Sequence, residues 1–394
     1  MKPLAITAFT TTGPLGRGSD ATLAALRSRR SGLRPYDLDS TPLQTWIGRV
    51  AGLEDSPVHA SLPDFDCRNN RLAELGLQGD DFETAVVRAR ERYGAQRIAV
   101  LIGTSTSGIA ATERAFQERG ADGALPAWFR YRETHNLFSV TDYVQQRLAL
   151  RGPAATLSTA CSSSAKVFAS AHRLIEAGLA DAAVVGGVDS LCLMTLYGFR
   201  SLELLSAAPC RPCDAARDGI SIGEAAGFAL LEPPRPGAAA PALLGYGESS
   251  DAYHMSSPHP EGEGAAAAMR AALERAGIEP AQVDYVNLHG TGTPANDRAE
   301  DAAVFGLFGR SVACSSTKGW TGHTLGAAGI VEAVISLLCL RQGLVPGSLN
   351  LERLDPALKS RVAVAAESRR LDRVLSNSFG FGGNNCSLLF GASA

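Results

Sequence analysis

The chain has 394 residues, of which 45% are hydrophobic and 20% are charged, and its formal net charge is −3. This composition is typical of a globular protein with a large core, and the charge gives no support to a general nucleic-acid binder or a polybasic membrane-surface protein. Eight irregularly spaced cysteines do not indicate a disulfide framework, and no apolar signal-peptide segment follows Met1. We therefore expect a cytoplasmic protein with reduced thiols.

Short apolar strands alternate along the chain with helical stretches rich in Ala and Leu. Strands are predicted over 98–102 and 181–187, and helices over 164–177 and 265–276, each helix being followed by a glycine suited to a C-cap. Apolar runs of this length, separated by glycine turns and helices, are typical of sheets buried on both faces. The pattern predicts an α/β protein.

The segment 154–166 is predicted to be a strand, a tight serine-rich turn and the start of a helix. Cys161 lies in this turn, where the first-turn N–H groups and the positive end of the helix dipole would face it. Such a setting favours a thiolate nucleophile, and the same N–H groups suit an oxyanion. The side-chain oxygens of the turn serines can cap free amides. A packing cysteine is the alternative interpretation.

One segment, 232–241, has a proline density that breaks any helix or central strand. It divides the chain into an N-terminal part, 1–232, and a C-terminal part, 242–394. In the second part the apolar stretch 327–340 is interrupted by Glu332, which makes it too short and too charged to span a bilayer. We interpret this stretch as a buried helix.

Two histidines of the second part lie in glycine-threonine loops. His289 follows a strand, and His323 precedes the apolar helix. An imidazole at a strand end can donate a hydrogen bond or carry a proton near neutral pH. Two other interpretations stay open at this point: zinc ligation by Cys161, His289 and His323, and a cysteine hydrolase with Asp297 as the residue that orients the base.

The last motif is the loop 375–385, in which three glycines surround Phe379 and Phe381. This pattern indicates a bent and closely packed loop rather than a plain strand. A phosphate-binding loop is the obvious competitor, but no lysine follows the glycines and no complete dinucleotide spacing is present.

Together, the motifs TACSS, HGTGTPANDRAE, KGWTGHTLGAAG and SNSFGFGGNN resemble the β-ketoacyl-acyl-carrier-protein synthases of the Cys-His-His subgroup. The likeness covers nearly the whole chain. It implies the thiolase fold, with two similar α/β halves in a five-layered αβαβα arrangement. It also implies an acyltransferase without metal or free cofactor, whose substrates are carried on the phosphopantetheine arm of acyl carrier protein.

The resemblance implies a role for each motif residue. Cys161 takes an acyl group from the carrier protein as a thioester. His289 and His323 then bind the thioester carbonyl of malonyl carrier protein and promote loss of carbon dioxide. The resulting enolate attacks the acyl group, with the N–H groups of Cys161 and Phe381 as the oxyanion hole, so the chain grows by two carbons. Lys318 matches the catalytic lysine of the family.

Other positions match the family with supporting roles. Phe379 and Phe381 lie in the loop that gates the site, and the residues that match contacts of the pantetheine arm are Thr291, Thr293, Ser256 and Ser257. Asp297 and Glu300 match acidic residues that support the first histidine and the lysine. For docking to an acidic carrier protein, the candidates are Arg68, Arg71, Arg130 and Arg132.

The loop 103–108 departs from the fatty-acid enzymes, which often carry larger apolar residues beside the acyl pocket. Its small polar residues suit an unusual primer, such as an aryl or polyene chain. The family works as a dimer, so we expect a homodimer. The alternative is the active subunit of a heterodimer with a chain-length factor, in aryl-polyene or other pigment or polyketide synthesis. Silent subunits lose the nucleophilic cysteine, which is present here as Cys161.

Overall fold

The computed structural model describes residues 1–39, 43–237 and 240–392. These residues form eleven α-helices. In chain order the helices are α1 (Gly18–Ser28), α2 (Arg68–Leu77), α3 (Phe82–Tyr93), α4 (Ile109–Gln117), α5 (Ser139–Arg147), α6 (Ser163–Glu176), α7 (Leu193–Ser201), α8 (Glu263–Ala276), α9 (Pro294–Phe308), α10 (Lys318–Thr321) and α11 (Ala328–Gln342). The two helices predicted from the sequence are confirmed as α6 and α8, with ends shifted by one or two residues.

The same residues form seventeen strands. In chain order the strands are β1 (Leu4–Gly13), β2 (Gly16–Arg17), β3 (Leu33–Pro35), β4 (Trp46–Gly48), β5 (Ile98–Gly103), β6 (Ala154–Leu157), β7 (Ala182–Asp189), β8 (Ile222–Gly223), β9 (Ala225–Glu232), β10 (Pro241–Ser250), β11 (Tyr285–Asn287), β12 (Ala313–Ser315), β13 (Leu344–Val345), β14 (Arg361–Val362), β15 (Glu367–Ser368), β16 (Arg373–Gly380) and β17 (Asn384–Ala392).

The large sheet contains the same strand arrangement twice. Its order is β14-β12-β11-β16-β17-β10-β1-β9-β7-β5-β6. In each half the first strand pairs antiparallel with the fifth, the fifth antiparallel with the fourth, the fourth parallel with the second, and the second parallel with the third. These strands are β1, β5, β6, β7 and β9 in one half, and β10, β11, β12, β16 and β17 in the other. The prediction of two similar halves is confirmed.

The two half-sheets meet where β1 pairs with β10, through Leu4 with Leu243 and Ala5 with Ala242. The proline-rich segment lies between β9 and β10, and its residues 238 and 239 are outside the described residues. The division into 1–232 and 242–394 stays a prediction.

Five layers follow from how the inner strands of the large sheet bury both of their faces. In β5, Ala99 and Leu101 belong to the central core with α6 and α11, whereas Ile98, Val100 and Ile102 face α2, α3 and α5. This alternation is the period of an extended strand. The C-terminal half-sheet packs in the same way, with α6 and α11 on one side and α8 and α9 on the other. The predicted αβαβα arrangement is confirmed.

The helical stretch Leu325–Gln342, which contains α11, has a mean hydropathy of 1.5 over 18 residues. Within the described residues it is the one stretch long and apolar enough to cross a membrane, so the expectation that it is too short was wrong. However, 83% of it is buried inside the protein. Its apolar composition is explained by its place in the central layer, as predicted for a buried helix.

Candidate active site

The candidate site lies where strands of both half-sheets end. Cys161 comes shortly after β6 of the N-terminal half. His289 follows β11, and Lys318 and His323 follow β12, all in the C-terminal half. Because β11 and β12 are parallel, their carboxyl ends lie at the same edge of the sheet. The fold therefore brings residues that are far apart in sequence to one place.

The turn that carries Cys161 is held by its own serines. Ala160 has a positive φ of 51°, a conformation that costs energy for a residue with a Cβ. The Ser163 hydroxyl accepts from the Thr159 N–H at 2.9 Å and donates to the Ala160 carbonyl at 2.6 Å. The N-cap residue of α6, Ser162, makes no side-chain cap. The Ser163 hydroxyl therefore caps a free amide of the turn, as the sequence indicated, whereas Ser162 does not cap the start of α6.

The Cys161 thiol is 6% exposed, and this burial raises its pKa to about 11. The positive charge of Lys318 and the backbone N–H of Phe381 lower the pKa but do not offset the cost of burying a thiolate. The expectation of a resting thiolate is therefore wrong, because the sequence shows the helix start but not the depth of burial. Cys161 is a thiol at neutral pH, and its Sγ lies 3.0 Å from Nε2 of His323.

The rings of His289 and His323 are nearly perpendicular, with an interplanar angle of 85° and centroids 5.3 Å apart. Burial, and to a lesser degree the charge of Lys318, hold the pKa of His289 and of His323 well below the usual value of 6.5. Both imidazoles are therefore neutral at physiological pH, and each has one donor and one acceptor nitrogen. The backbone of His323 is fixed by hydrogen bonds to the Ser221 carbonyl and from the Gly223 N–H.

The position of Lys318 determines which ring nitrogen of His289 carries the proton. The Lys318 ammonium is buried and donates to the Glu332 carboxylate and to the His289 carbonyl. It also lies 3.3 Å from Nδ1 of His289. An ammonium group can only donate, so Nδ1 accepts and the ring proton is on Nε2. His289 therefore presents a hydrogen-bond donor on the side away from Lys318.

Glu300 and Asp297 hold the His289 loop through its backbone. The Glu300 carboxylate accepts from the N–H groups of His289 at 2.8 Å and Gly290 at 2.7 Å, and burial raises its pKa to about 7. Asp297 accepts from the Gly292 N–H at 3.1 Å. Both contacts agree with the expected support of the first histidine.

Neither of these acids is the hydrogen-bonded partner of Lys318, whose ion pair is with Glu332. This is a correction of the role that the resemblance implied for Asp297 and Glu300 toward the lysine. The sequence does contain a signal for the role of Glu332 as the partner of the lysine, since Glu332 is the single charge in the apolar stretch 327–340. A charge in a buried helix needs a partner, and the buried lysine is the partner here.

The prediction of a loop over 375–385 is largely wrong, because 375–380 end β16, 384–385 begin β17, and only 381–383 form the turn. The segment 379–383, here called the Phe-Gly loop, closes over Cys161. The backbone N–H of Phe381 is directed at the cysteine sulfur. A Cβ at Gly380 would lie 2.8 Å from the Thr159 carbonyl oxygen and 3.1 Å from the Cys161 nitrogen, so only glycine permits this approach. The Phe381 ring packs 5.7 Å from that of Phe199, an aromatic residue that the sequence motifs did not single out.

A pocket with a cavity volume of about 110 Å³ gives access to Cys161. Most of the site residues predicted from the sequence line it. They are Cys161, Ser256, Ser257, His289, Thr291, Thr293, His323, Phe379 and Phe381. Its apolar wall is formed by Phe199, Leu204 and Ile220. Lys318, Asp297 and Glu300 lie behind the pocket lining.

The ligand atoms of Cys161, His289 and His323 lie within 4.8 Å of one another, so the zinc interpretation needs a test. Metal-bound histidines almost always donate their second ring N–H to a partner. The Nδ1 atom of His323 has no hydrogen-bond partner among the described residues, and Nδ1 of His289 accepts from Lys318. The donor set therefore does not fit a zinc ion and instead forms a thiol–imidazole centre.

Three of the four candidate docking arginines are engaged in ion pairs. These pairs are Arg68 with Glu224 and Glu54, Arg71 with Asp66, and Arg130 with Asp64. The three arginines line a surface cleft that is separate from the pocket at Cys161. Arg132 is exposed.

Two protein-family models match the chain. The model of the β-ketoacyl synthase N-terminal domain matches residues 1–235, and that of the C-terminal domain matches residues 241–352.

Named relatives are similar over different lengths. The chain is 43% identical to 3-oxoacyl-[acyl-carrier-protein] synthase 2 of Rhizobium meliloti over 62% of each protein. It is 34% identical to the synthase of the same name from Vibrio cholerae over 96% of each. Among solved structures, a ketosynthase in complex with its chain length factor from Xenorhabdus doucetiae has a TM-score of 0.90 and 40% identity, over 100% of this chain and 98% of that one. The chain therefore belongs to the β-ketoacyl synthase family, as its motifs predicted.

Proposed function

We propose that this chain is a working 3-oxoacyl-acyl-carrier-protein synthase that holds an acyl group on Cys161 and extends it by two carbons. The observation that carries the proposal is the 3.0 Å contact between the Cys161 sulfur and Nε2 of His323 in a pocket that also holds His289. A silent chain-length factor would lack this pair. A cysteine hydrolase would need an acid hydrogen-bonded to its base, whereas Nδ1 of His323 has no partner among the described residues.

In the first half-reaction the Cys161 sulfur attacks the thioester carbonyl of an acyl carrier protein. The thiol proton ends on the sulfur of the released pantetheine arm, so the transfer is neutral in protons. The N–H groups of Cys161 and Phe381 receive the oxyanion that forms on the carbonyl oxygen. The product is an acyl thioester on Cys161.

In the second half-reaction malonyl carrier protein occupies the same pocket. His289 donates its Nε2–H to the thioester carbonyl oxygen, and His323 faces the same oxygen once the sulfur is acylated. The bond to the malonyl carboxylate breaks, carbon dioxide leaves, and its electron pair forms an enolate. The enolate carbon attacks the acyl carbonyl, the Cys161 thiolate leaves and takes up one proton from solvent, and the lengthened β-ketoacyl chain stays on the carrier protein. Lys318 keeps the His289 proton on Nε2 during these steps.

The remaining pocket residues suit the phosphopantetheine arm. Thr291 and Thr293 have hydroxyls 3.1 Å apart at the pocket wall, and Ser256 and Ser257 line it as well. Phe379 and Phe381 act as the gate of the pocket. No metal or free cofactor takes part, because the arm brings each substrate.

The partner in the dimer is the more specific part of the proposal. Strand β6 is the end strand of the sheet, and all four of its residues are partly exposed. Large apolar side chains are exposed in the segment 116–138, including Phe116, Tyr131 and Leu137. An exposed edge beside such a surface favours a dimer. The Xenorhabdus doucetiae ketosynthase, whose partner is its chain length factor, favours the heterodimer of aryl-polyene or other pigment or polyketide synthesis as the second candidate.

The proposal also covers the cellular compartment and the surface that docks acyl carrier protein. All eight cysteines are free and buried, which fits the reducing cytoplasm. The partner protein that delivers substrates is acyl carrier protein. Of the four candidate arginines, Arg132 is the one best placed for docking, since Arg68, Arg71 and Arg130 are occupied by carboxylates.

Intact-mass analysis tests the proposed nucleophile. Incubation with acylated carrier protein is expected to leave one stable acyl adduct, which peptide mapping places on Cys161. Cys161→Ala is expected to abolish the adduct, and Cys386→Ala, at another buried thiol, is expected to keep it. An adduct elsewhere, or rapid hydrolysis without malonyl carrier protein, would contradict the proposal.

A panel of primers tests the pathway. Condensation is measured for linear, aryl and polyenyl carrier-protein thioesters, with the chain alone and with a candidate chain-length factor. The heterodimer is supported if condensation of aryl or polyenyl primers needs the second subunit. Full activity of the chain alone on saturated primers would contradict it.

A further inference from the structure

The carboxylate of Asp189 is the centre of a buried polar network beside the reaction centre. Asp189 ends β7 and is fully buried. Its Oδ1 atom accepts from the Thr104 and Thr106 hydroxyls, each at 2.7 Å, and from the Ser105 and Thr106 N–H groups at 2.9 and 2.8 Å. Its Oδ2 atom accepts from the Ser105 hydroxyl at 2.6 Å and from the Gly326 N–H.

This network explains the unusual loop after β5. Most of the small polar residues that suggested an altered acyl pocket turn their hydroxyls toward Asp189, whereas the Ser107 hydroxyl donates to the Asn136 carbonyl. Three of them, Thr104, Ser105 and Thr106, donate to that one carboxylate. The loop is therefore polar because it surrounds a buried charge, which needs this many donors to be stable.

Only a carboxylate fits the centre of the network. Backbone N–H groups reach both oxygens: Ser105 and Thr106 donate to Oδ1, and Gly326 donates to Oδ2. Backbone donors cannot rotate to become acceptors. In Asp189→Asn the amide NH₂ would face a backbone N–H in either orientation, so one of these contacts must be lost.

The network connects the two halves at the turn that carries His323. Gly326 is three residues after His323 and has no room for a side chain, since its Cβ would lie 2.7 Å from Oδ2 of Asp189. The Ser105 hydroxyl strengthens the connection, because it donates to Asp189 and accepts from the Gly326 N–H at 3.2 Å. Asp189 and Ser105 belong to the N-terminal half, as Cys161 does, whereas His323 and Gly326 belong to the C-terminal half.

We propose that Asp189 is a positioning residue of the condensation, which fixes the His323 turn at hydrogen-bond distance from Cys161 across the boundary between the halves. The inference rests on the proposed function. Asp189 touches no substrate and acts through the Gly326 N–H and the Ser105 hydroxyl. Its loss is expected to affect the step that needs His323, the decarboxylation of malonyl carrier protein, more than the acylation of Cys161.

The experiment measures acylation of Cys161 and decarboxylation of malonyl carrier protein separately, together with the melting temperature. Asp189→Asn is expected to lower the ratio of decarboxylation to acylation by about tenfold or more, in the range of a displaced acid–base group. Ser105→Ala, which removes only the hydroxyl that bridges to Gly326, is expected to lower the same ratio by a smaller factor.

Two matched variants separate positioning from general stability. Thr106→Val removes a hydroxyl donor to Asp189 but leaves the Gly326 contacts intact, so the ratio is expected to stay within about twofold while the melting temperature falls. Glu74→Gln removes another buried carboxylate, which accepts from the Tyr143 hydroxyl and is remote from the site. It is also expected to lower the melting temperature and to leave the ratio within about twofold.

The outcomes decide between the alternatives. If Asp189→Asn and Ser105→Ala lower only the melting temperature and leave the ratio unchanged, the positioning role is wrong. If Asp189→Asn does not fold, the comparison of Ser105→Ala with Thr106→Val decides by the same criterion. A wild-type protein that neither forms the acyl adduct nor decarboxylates malonyl carrier protein contradicts the proposed function itself.

Discussion

The two halves of the molecule share one strand arrangement but use the ends of their strands differently. In the N-terminal half, the ends of β5 and β7 form the polar network of Asp189, and the turn after β6 carries Cys161, the proposed nucleophile. In the C-terminal half, the equivalent ends of β11, β12 and β16 carry His289, then Lys318 and His323, then the Phe-Gly loop. The fold thus determines where groups meet, whereas the residues at each strand end determine what they do.

The largest expected effect concerns the two histidines of the C-terminal half and tests whether the two halves serve different steps. His289→Ala and His323→Ala each remove a C-terminal group that the proposed mechanism places at the malonyl thioester. We expect decarboxylation of malonyl carrier protein to fall by about 10²- to 10⁴-fold, while Cys161 still becomes acylated, because the nucleophile is in the other half. Carbon dioxide release and intact mass measure the two steps. His172→Ala, at a buried histidine outside the pocket, is the control. Equal loss of both steps would remove the distinction between the halves.

A second comparison concerns charge burial in the two halves. Glu332→Ala leaves the fully buried Lys318 ammonium without its carboxylate, which is expected to cost about 3–5 kcal/mol of unfolding free energy. Glu83→Ala breaks an N-terminal pair with Arg147, in which Glu83 is 42% exposed, and is expected to cost about 0–1 kcal/mol. Urea unfolding measures both values. Similar costs would show that the Lys318–Glu332 pair has no special structural role.

Much of the fold was predictable from the sequence, because strand and helix periods and the glycine after each helix are local signals. The strand ends that meet in the site were also identified, since His289, His323 and Phe381 lie in recognisable motifs. The Asp189 network was not, because its donors come from segments more than eighty residues away along the chain. The state of the Cys161 thiol was mispredicted, because depth of burial depends on the whole core and not on the helix start.

The raised pKa of Cys161 gives a prediction for the pH dependence of its reactivity. This dependence distinguishes a thiol whose pKa is raised by burial from a thiolate stabilised by the helix dipole. With a folded-state pKa of about 11, the thiolate fraction at pH 7 is small and rises about tenfold per pH unit up to about pH 10. Alkylation of Cys161 by iodoacetamide, followed by peptide mass, is expected to rise in parallel. The groups whose charges act on it are Lys318, Asp189 and Glu332. A rate that levels off by pH 8 would favour a dipole-stabilised thiolate after all.

The smallest expected effect concerns carrier-protein docking on the N-terminal half. Arg132→Ala removes an exposed charge, so the KM for acyl carrier protein is expected to rise about two- to fivefold with an unchanged melting temperature. Arg68→Ala leaves the fully buried Glu224 without its ion pair and is expected to lower the melting temperature instead. Steady-state kinetics and thermal unfolding distinguish the two. An unchanged KM in Arg132→Ala would place the docking surface elsewhere.

The pairing of β1 with β10 has a consequence for biosynthesis. A ribosome completes the N-terminal half first, and domains generally fold as they emerge. A nascent chain therefore carries Cys161 before any residue of the decarboxylation machinery exists. Its thiol has no histidine neighbour and is not yet covered by the Phe-Gly loop. On the proposed mechanism, catalytic competence is acquired late, when β17 pairs with β10 and β16 pairs with β17.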